Sequence, residues 1–268
     1  MQFIATADTD IGIRKDTNQD SLLIKHGLDC TTYDKREVLL AVVCDGMGGL
    51  AKGELASATV IRHFSRWFDE DLPYELERLD PGFLDGDMQP IGEKMSLLLK
   101  DLNTKIMNYG KKINVSMGTT FTGALFVKDR YVAVHVGDSR LYRIGKDIKQ
   151  LTTDQTFVAR EVSRGNMTSE QAKTDKRRNM LLQCVGASDR VEPEIIYGEA
   201  KQGVYMLCSD GFRHEITEWE MCQSLNEDCL TDKDIMHANA KYLIEQVKMR
   251  REKDNISVIL VKVDREGK

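Results

Sequence analysis

Val38-Leu-Leu-Ala-Val-Val-Cys44 runs without a break into Asp45-Gly46, and Val204-Tyr-Met-Leu-Cys-Ser209 runs the same way into Asp210-Gly211. A short apolar run closed by an acid and a turn residue is the pattern of a buried strand and its end. A third acid, Asp254, stands with Asn255 just before Ile256-Ser-Val-Ile-Leu-Val, and a fourth, Asp138, follows Val132-Ala-Val-His-Val-Gly137. An isolated Asp-Gly is most often only a turn, and Asp85-Gly86 is expected to be that. Four acids at the ends of four apolar strands are harder to dismiss. Strand ends hold side chains on rigid backbone, and acids brought together there suit a hard cation such as Mg2+ or Mn2+. Crowded without cations, they would repel one another and retain protons. Gly46 adds an unobstructed carbonyl as a further candidate ligand. With five His, no HExxH and no close His pair, a zinc hydrolase is disfavoured.

Outward from these runs, residues 21–25, 119–127, 131–136, 140–144 and 256–263 read as strands. The links Lys128-Asp129-Arg130 and Gly145-Lys146-Asp147 permit only antiparallel partners, because a parallel crossover takes a dozen residues or more. Helical spacing joins Val60, Phe64 and Trp67/Phe68. It also joins Ile91, Met95, Leu98/Leu99, Leu102 and Ile106, and Ile235, Ala238, Tyr242 and Val247. Thr168-x-x-Gln171 and Thr217-x-x-Glu220 have the spacing of capping boxes. Helices interleaved with antiparallel strands predict an α+β class, with helices on the outer faces of sheet layers. Residues 72–90 carry Pro73, Pro81, Gly82, Asp85-Gly86 and Pro90, and are expected to form an insertion or long loop within one domain, 1–268.

The chain has 268 residues, with 38 Lys plus Arg against 43 Asp plus Glu and a net charge of −5. That balance argues against a nucleic-acid binder, which would need a basic face. The cleanest apolar stretch, 38–44, is far short of the roughly 20 residues that span a bilayer. The start, MQFIATADTD, lacks the basic and apolar segments of a signal peptide. The six Cys form no CxxC pair, and Cys44 and Cys208 lie in apolar runs. The expectation is a cytoplasmic monomer with reduced thiols.

Seven short motifs follow in order: Thr9-Asp10-x-Gly12 with Asn18-Gln19-Asp20-Ser21; Asp45-Gly-Met-Gly-Gly49; Gly118-Thr-Thr120; Gly137-Asp-Ser-Arg140; Leu151-Thr-x-Asp154; Ser209-Asp-Gly211; and Asp254-Asn255. Together they resemble the metal-dependent protein phosphatase 2C family in its bacterial form. The resemblance implies a four-layer α-β-β-α sandwich with two central antiparallel sheets and a metal site at one edge. It implies that Asp45 bridges two Mn2+ or Mg2+ ions and that the Gly46 carbonyl binds the second. Asp210 and Asp254 would hold the first, and Asp138, with Asp210, a weaker third. Asp20 would hydrogen-bond metal-bound water, Asn255 would orient the site, and Thr120 would lie near the metals. The phosphate-binding position falls on Lys15, with Arg14 beside it. The implied activity is hydrolysis of phosphoserine and phosphothreonine in proteins by in-line attack of a metal-bridging hydroxide. Phosphorylated proteins are then the substrates, and a serine/threonine kinase the expected counterpart. Residues 154–190 resemble the family's mobile flap, which influences substrate choice. Their many charges fit a solvated helical face as well as substrate contact.

Four departures from the family pattern stand out. Lys15 is a point charge where the family has the forked Arg. Gln19 stands where a carboxylate often orients water. Met47 stands where animal members carry a His proposed as general acid, which leaves water to protonate the leaving oxygen. Gln155 replaces a His and has no evident role in the sequence. Two rivals accompany the main reading. One is a non-catalytic phosphoprotein-binding pseudophosphatase, supported only by Lys15, Gln19 and Met47. The other is a cysteine phosphatase using Cys184-x5-Arg190, although Gln183 replaces the usual activating His and Asp189 would repel phosphate. His135 is expected to pack in the core, and His214 to play no part in the site.

Overall fold

The computed structural model describes residues 1–30, 35–47, 52–78 and 88–264. Ten strands among them form two five-stranded sheets, antiparallel throughout. The first sheet orders β1 (Gln2–Asp10), β10 (Ile256–Asp264), β9 (Gly203–Cys208), β6 (Arg140–Ile144) and β7 (Ile148–Gln150). The second orders β2 (Ser21–Cys30), β3 (Lys35–Cys44), β4 (Phe121–Val127), β5 (Arg130–Val136) and β8 (Glu194–Glu199).

The period-two alternation of the strands sorts their side chains into separate apolar layers. Leu39, Ala41 and Val43 of β3 meet Leu207 of β9 and Ile259 and Val261 of β10 between the sheets. Phe126, Tyr131 and Tyr205 cluster there, with ring centroids 5.0 to 5.9 Å apart. Leu40 and Val42 face outward onto α1 (Gly53–Arg66) and α3 (Gln89–Ile113), packing with Phe64, Met95 and Leu99. On the far side, Met206, Val258 and Leu260 pack on α7 (Glu218–Leu225) and α8 (Lys233–Met249). The four layers expected from the resemblance are all present. A strand buried on both faces reads as a continuous apolar run, which is why β3, β9 and β10 are visible in the sequence.

Helix α3 follows its expected spacing, with Pro90 in the first turn and Asn114 in the left-handed conformation closing it at φ 53°. Both capping boxes form, Thr168 opening α5 (Ser169–Thr174) and Thr217 opening α7. Three expectations need correction. Residues 72–78 are not a loop: a π-helical turn, Trp67–Asp71, carries α1 into α2 (Leu72–Arg78). Pro73 follows closely on that π-helical turn and has no N–H to bond back to it. Asp85-Gly86, in the rest of the expected insertion, lies outside the described residues. On α8 the buried face is Met236, Ala240, Leu243, Ile244 and Val247, while Ile235 and Tyr242 are exposed. Lastly, β1, β7 and β8 are additional strands. They lie at sheet edges, where a half-buried or three-residue strand has little apolar signature.

Antiparallel pairing puts the end of one strand beside the start of the next. Ser21 pairs Cys44, Arg140 pairs Cys208 and Val258 pairs Cys208. The ends of β3 and β9 and the starts of β2, β6 and β10 therefore share one edge of the sandwich. Asp45, Asp210, Asp20, Asp138 and Asp254 occupy those five positions.

Candidate metal centre and phosphate site

Asp45 leaves β3 into a short ladder that continues the sheet. Thr120 N–H donates to the Asp45 carbonyl at 2.8 Å, Met47 N–H to the Gly118 carbonyl at 3.0 Å, and Thr120 Oγ1 accepts from Asp45 N–H at 3.0 Å. The Gly46 carbonyl accepts none of these bonds. Gly46 also packs directly on the backbone of Gly53, where a Cβ would have no room. Thr119 pairs with Val185 on its other side, tying residues 184–186 to the same ladder.

Asn255 fastens the loop before β2 to the start of β10. Its Oδ1 accepts from Gln19 N–H at 3.0 Å, and its Nδ2 donates to the carbonyls of Ile11 at 2.9 Å and Thr17 at 3.2 Å. Asn18 donates to Thr9 Oγ1 at 2.8 Å, which meets Ser257 Oγ at 2.8 Å. The loop so held presents Lys15 and Asp20 to the edge. Lys15 Nζ pairs with Asp254 Oδ1 at 2.8 Å. Burial would lower the Lys15 pKa, but Asp254, with Asp45 and Asp210 beyond it, holds the ammonium above its usual value.

The acids respond as a crowded set. Burial first, then Asp20, Asp210, Asp138 and Asp254, pushes Asp45 well above the carboxylate range. Burial raises Asp20 to about 7 against the pull of Ser257 and Ser209, with Asp210 and Asp254 adding to the rise. Asp138 reaches about 7 through burial and Asp210, with Arg213 opposing. Asp20 Oδ2 is buried with no hydrogen-bond partner. Among the described residues, no three acidic, His or Cys side chains close into a finished ligand shell. The donor set nevertheless fits hard divalent cations: oxygen ligands only, an orphaned carboxylate oxygen, a carbonyl left out of its ladder, and carboxyls close enough to raise one another's pKa.

Protein phosphatase 2C is the family model this sequence matches, over residues 13–244. The chain belongs to that family. Among curated relatives, the serine/threonine phosphatase stp of Listeria welshimeri is 29% identical over 228 residues, 83% of each chain. Among solved structures, serine/threonine phosphatase Stp1 from Staphylococcus aureus is 27% identical with a TM-score of 0.80, covering 99% of this chain and 96% of that one. The catalytic domain of the phosphatase PstP, solved in complex with 2 manganese ions, is 27% identical with a TM-score of 0.72, covering 98% and 99%.

In this 2C phosphatase chain, the structure gathers Asp20, Asp45, Asp138, Asp210, Asp254, Asn255, Lys15 and Thr120 at one edge. Arg14 is exposed and makes no ion pair among the described residues. Gly48 and Gly49 of the glycine-rich turn lie outside the described residues. His135 behaves as expected, fully buried between the sheets with Nδ1 2.9 Å from Thr122 Oγ1. His214 does not. Helix α6 (Asp210–Arg213) begins at Asp210, so one turn later His214 places Nε2 3.6 Å from Asp210 Oδ2 and Nδ1 3.5 Å from Glu252 Oε2. Burial would lower the His214 pKa; Glu252 and Asp210 raise it.

Three further residues escaped the sequence reading. Arg213 Nη2 donates to the Asp138 carbonyl at 3.0 Å and lies 3.8 Å from Asp154, which Arg140 grips with both nitrogens at 2.7 and 2.6 Å. Glu54 accepts from Gln19 Nε2 at 3.3 Å, so the neutral amide at that position has a carboxylate beside it. Glu252 also escaped notice. The i, i+4 step from Asp210 to His214 was the one available signal, because the short helix α6 could not be told from a turn.

The cysteine rival fails on geometry. Cys184 is buried, and burial pushes its thiol pKa up, away from a reactive thiolate. Arg190 has an 84% exposed side chain and pairs with Glu192 rather than closing a phosphate loop.

Proposed function

We propose that this chain hydrolyses phosphoserine and phosphothreonine in proteins with two Mn2+ or Mg2+ ions. In this reading Asp45, the Gly46 carbonyl, Asp210 and Asp254 would hold the two ions, and Asp138 would contribute to a weaker third position. The observation that carries it is the meeting of five carboxyls from both sheets at one edge, three of them with pKa values raised by burial and by one another. When bound, the cations supply an acidified water as nucleophile and positive charge for the phosphoryl oxygens.

The chain's own residues do the rest. Asp20, with one oxygen free, accepts a hydrogen bond from water entering the cluster and orients it. Lys15 meets the phosphoryl group as a point charge, without the bidentate fork of Arg. Exposed Arg14 contributes little. Asn255 keeps Lys15 and Asp20 in register with Asp254. Met47 has no proton to give, so the leaving oxygen takes its proton from solvent. The reading includes a serine/threonine kinase as counterpart and a cytoplasmic setting. No helix among the described residues is long and apolar enough to cross a membrane, and the described cysteines are free thiols.

Asp210→Asn, assayed on a phosphothreonine peptide with Mn2+, tests the proposal. Turnover should fall about 10³-fold, or ~4 kcal/mol in barrier. Near-wild-type turnover would refute it.

A further inference from the structure

A cavity of about 730 Å³ opens beside the acid edge, between the first sheet and the flap helices α4 (Phe157–Ser163) and α5. Its wall includes Asp138 and His214, so it is continuous with the candidate centre. The volume is within the range that ligand-binding clefts use, and several times what a phosphoryl group needs. Val158, Ala159, Val162 and Ala172 give it an apolar side. Lys173 and Arg178 give it a cationic one.

The pairing of the flap's charges is uneven. Arg160 and Arg164 pair with Glu161, and Arg177 pairs with Asp175. Arg140 and Arg213, deeper in the wall, are occupied by Asp154 and Asp138. Lys173 and Arg178 have no carboxylate partner among the described residues; Arg178 donates only to the Lys173 carbonyl, at 3.3 Å. Lys176 is likewise unpaired among the described residues but does not line the cavity, so Lys173 and Arg178 are the exposed, unpaired cations on its wall.

We propose that this groove is a specificity subsite for the substrate chain flanking the phosphorylated residue. Val158, Val162 and Ala172 receive an apolar side chain, and Lys173 and Arg178 an acidic one next to it. The inference rests on the phosphatase reading and names the substrate class of that site. The groove opens directly beside the acid edge where the phosphothreonine would sit, and charge complementarity selects the acidic neighbour.

The test is a set of phosphothreonine peptides that share an apolar neighbour and differ only in a following Glu, Ala or Lys, placed on either side in turn. With Mn2+, kcat/KM should favour the Glu over the Ala peptide by roughly threefold per cation, near tenfold in all, mainly through KM. In Lys173→Ala/Arg178→Ala the ratio should fall to about one. In wild-type protein it should narrow as NaCl rises, because exposed pairs are screened. A wild-type ratio near one, a ratio unchanged in the double variant, or a ratio insensitive to salt overturns the subsite. Absence of Mn2+-dependent hydrolysis of every peptide overturns the phosphatase reading itself. The salt series needs no variant, so a double variant that fails to fold does not protect the proposal.

Discussion

Metal-free protein should lose stability as pH rises from 5 to 8, and Mn2+ should reverse the trend. Asp20 and Asp138 move from 3.8 to about 7 in the folded chain, and Asp45 moves higher still, through burial first and the neighbouring acids second. Below pH 4 both folded and unfolded chains hold these protons, and the folded state has its full advantage. Between pH 4 and 7 the unfolded chain releases them while the folded chain keeps them, so stability falls with pH. A carboxyl held at about 7 is displaced by roughly three units, a limit of ~4 kcal/mol reached by neutral pH. That is a large share of the ~5–15 kcal/mol that holds a typical domain together. The raised His214 acts in the same direction, since its contribution is also lost as pH climbs through its folded pKa. Asp154 and Glu252 are lowered, so their contributions are lost only in more acidic solution, below this window. Cations bind the deprotonated carboxylates, so the Mn2+ form should be most stable near pH 8, where the metal-free form is weakest. Urea unfolding at pH 5, 6, 7 and 8, in EDTA and in Mn2+, reads this directly. Asp138→Asn removes one raised carboxyl and should flatten the EDTA series and stabilise the metal-free protein at pH 8. EDTA-treated wild type as stable at pH 8 as at pH 5.5 would refute the account.

Asn255→Ala deletes three hydrogen bonds that hold the Lys15–Asp20 loop, and at about 1 kcal/mol each should cost ~3 kcal/mol in urea unfolding. Asn255→Asp keeps the acceptor for Gln19 but turns an oxygen on two carbonyls, so it should rescue less than half of that loss. Lys15→Ala should raise KM for a phosphopeptide about tenfold with a smaller change in kcat, Lys15→Arg should retain wild-type KM or improve it, and Arg14→Ala should stay within twofold; steady-state kinetics with Mn2+ decides all three. Cys184→Ser and iodoacetamide treatment should both leave turnover within about twofold, whereas EDTA abolishes it; loss on alkylation would revive thiol chemistry.

Four of the five carboxyls of the acid edge were legible because they flank buried strands, which print unbroken apolar runs in the sequence, whereas Asp20, beside the half-exposed edge strand β2, came only from the family motif. That their ends meet came from the ordered family motifs, because the three-residue links fix pairing only between β4 and β5 and between β6 and β7. What was not legible came from weaker codes. Strand β1 alternates only partly, as Phe3 and Thr6 are buried among half-exposed neighbours. On α8 the apolar residues 235, 236, 238, 240, 242, 243, 244 and 247 cover more than one helical face, so periodicity alone chose the wrong stripe. His214 sits just past the end of a helix of four residues, too short for hydrophobic periodicity to mark.

Gln155 shows what only the structure could supply. Its Oε1 accepts from Gly137 N–H at 2.8 Å and from Gln183 Nε2 at 2.8 Å. Its backbone N–H donates to the Gly137 carbonyl at 2.8 Å, and its own carbonyl accepts from Leu182 N–H at 2.8 Å. Gln183 continues the chain, bonding Glu192 through both its donor and its acceptor. Both ends of the flap are thus sewn to the residue that precedes Asp138. An amide can do this because it donates and accepts at one position, with no titration near neutral pH to break the pattern. Arg213 and Arg140 clamp the same junction from the other side through Asp154. The wall of the groove and the acid edge are therefore held as one body at their shared boundary. A movement of the flap at this boundary would strain bonds that end at Gly137, next to Asp138.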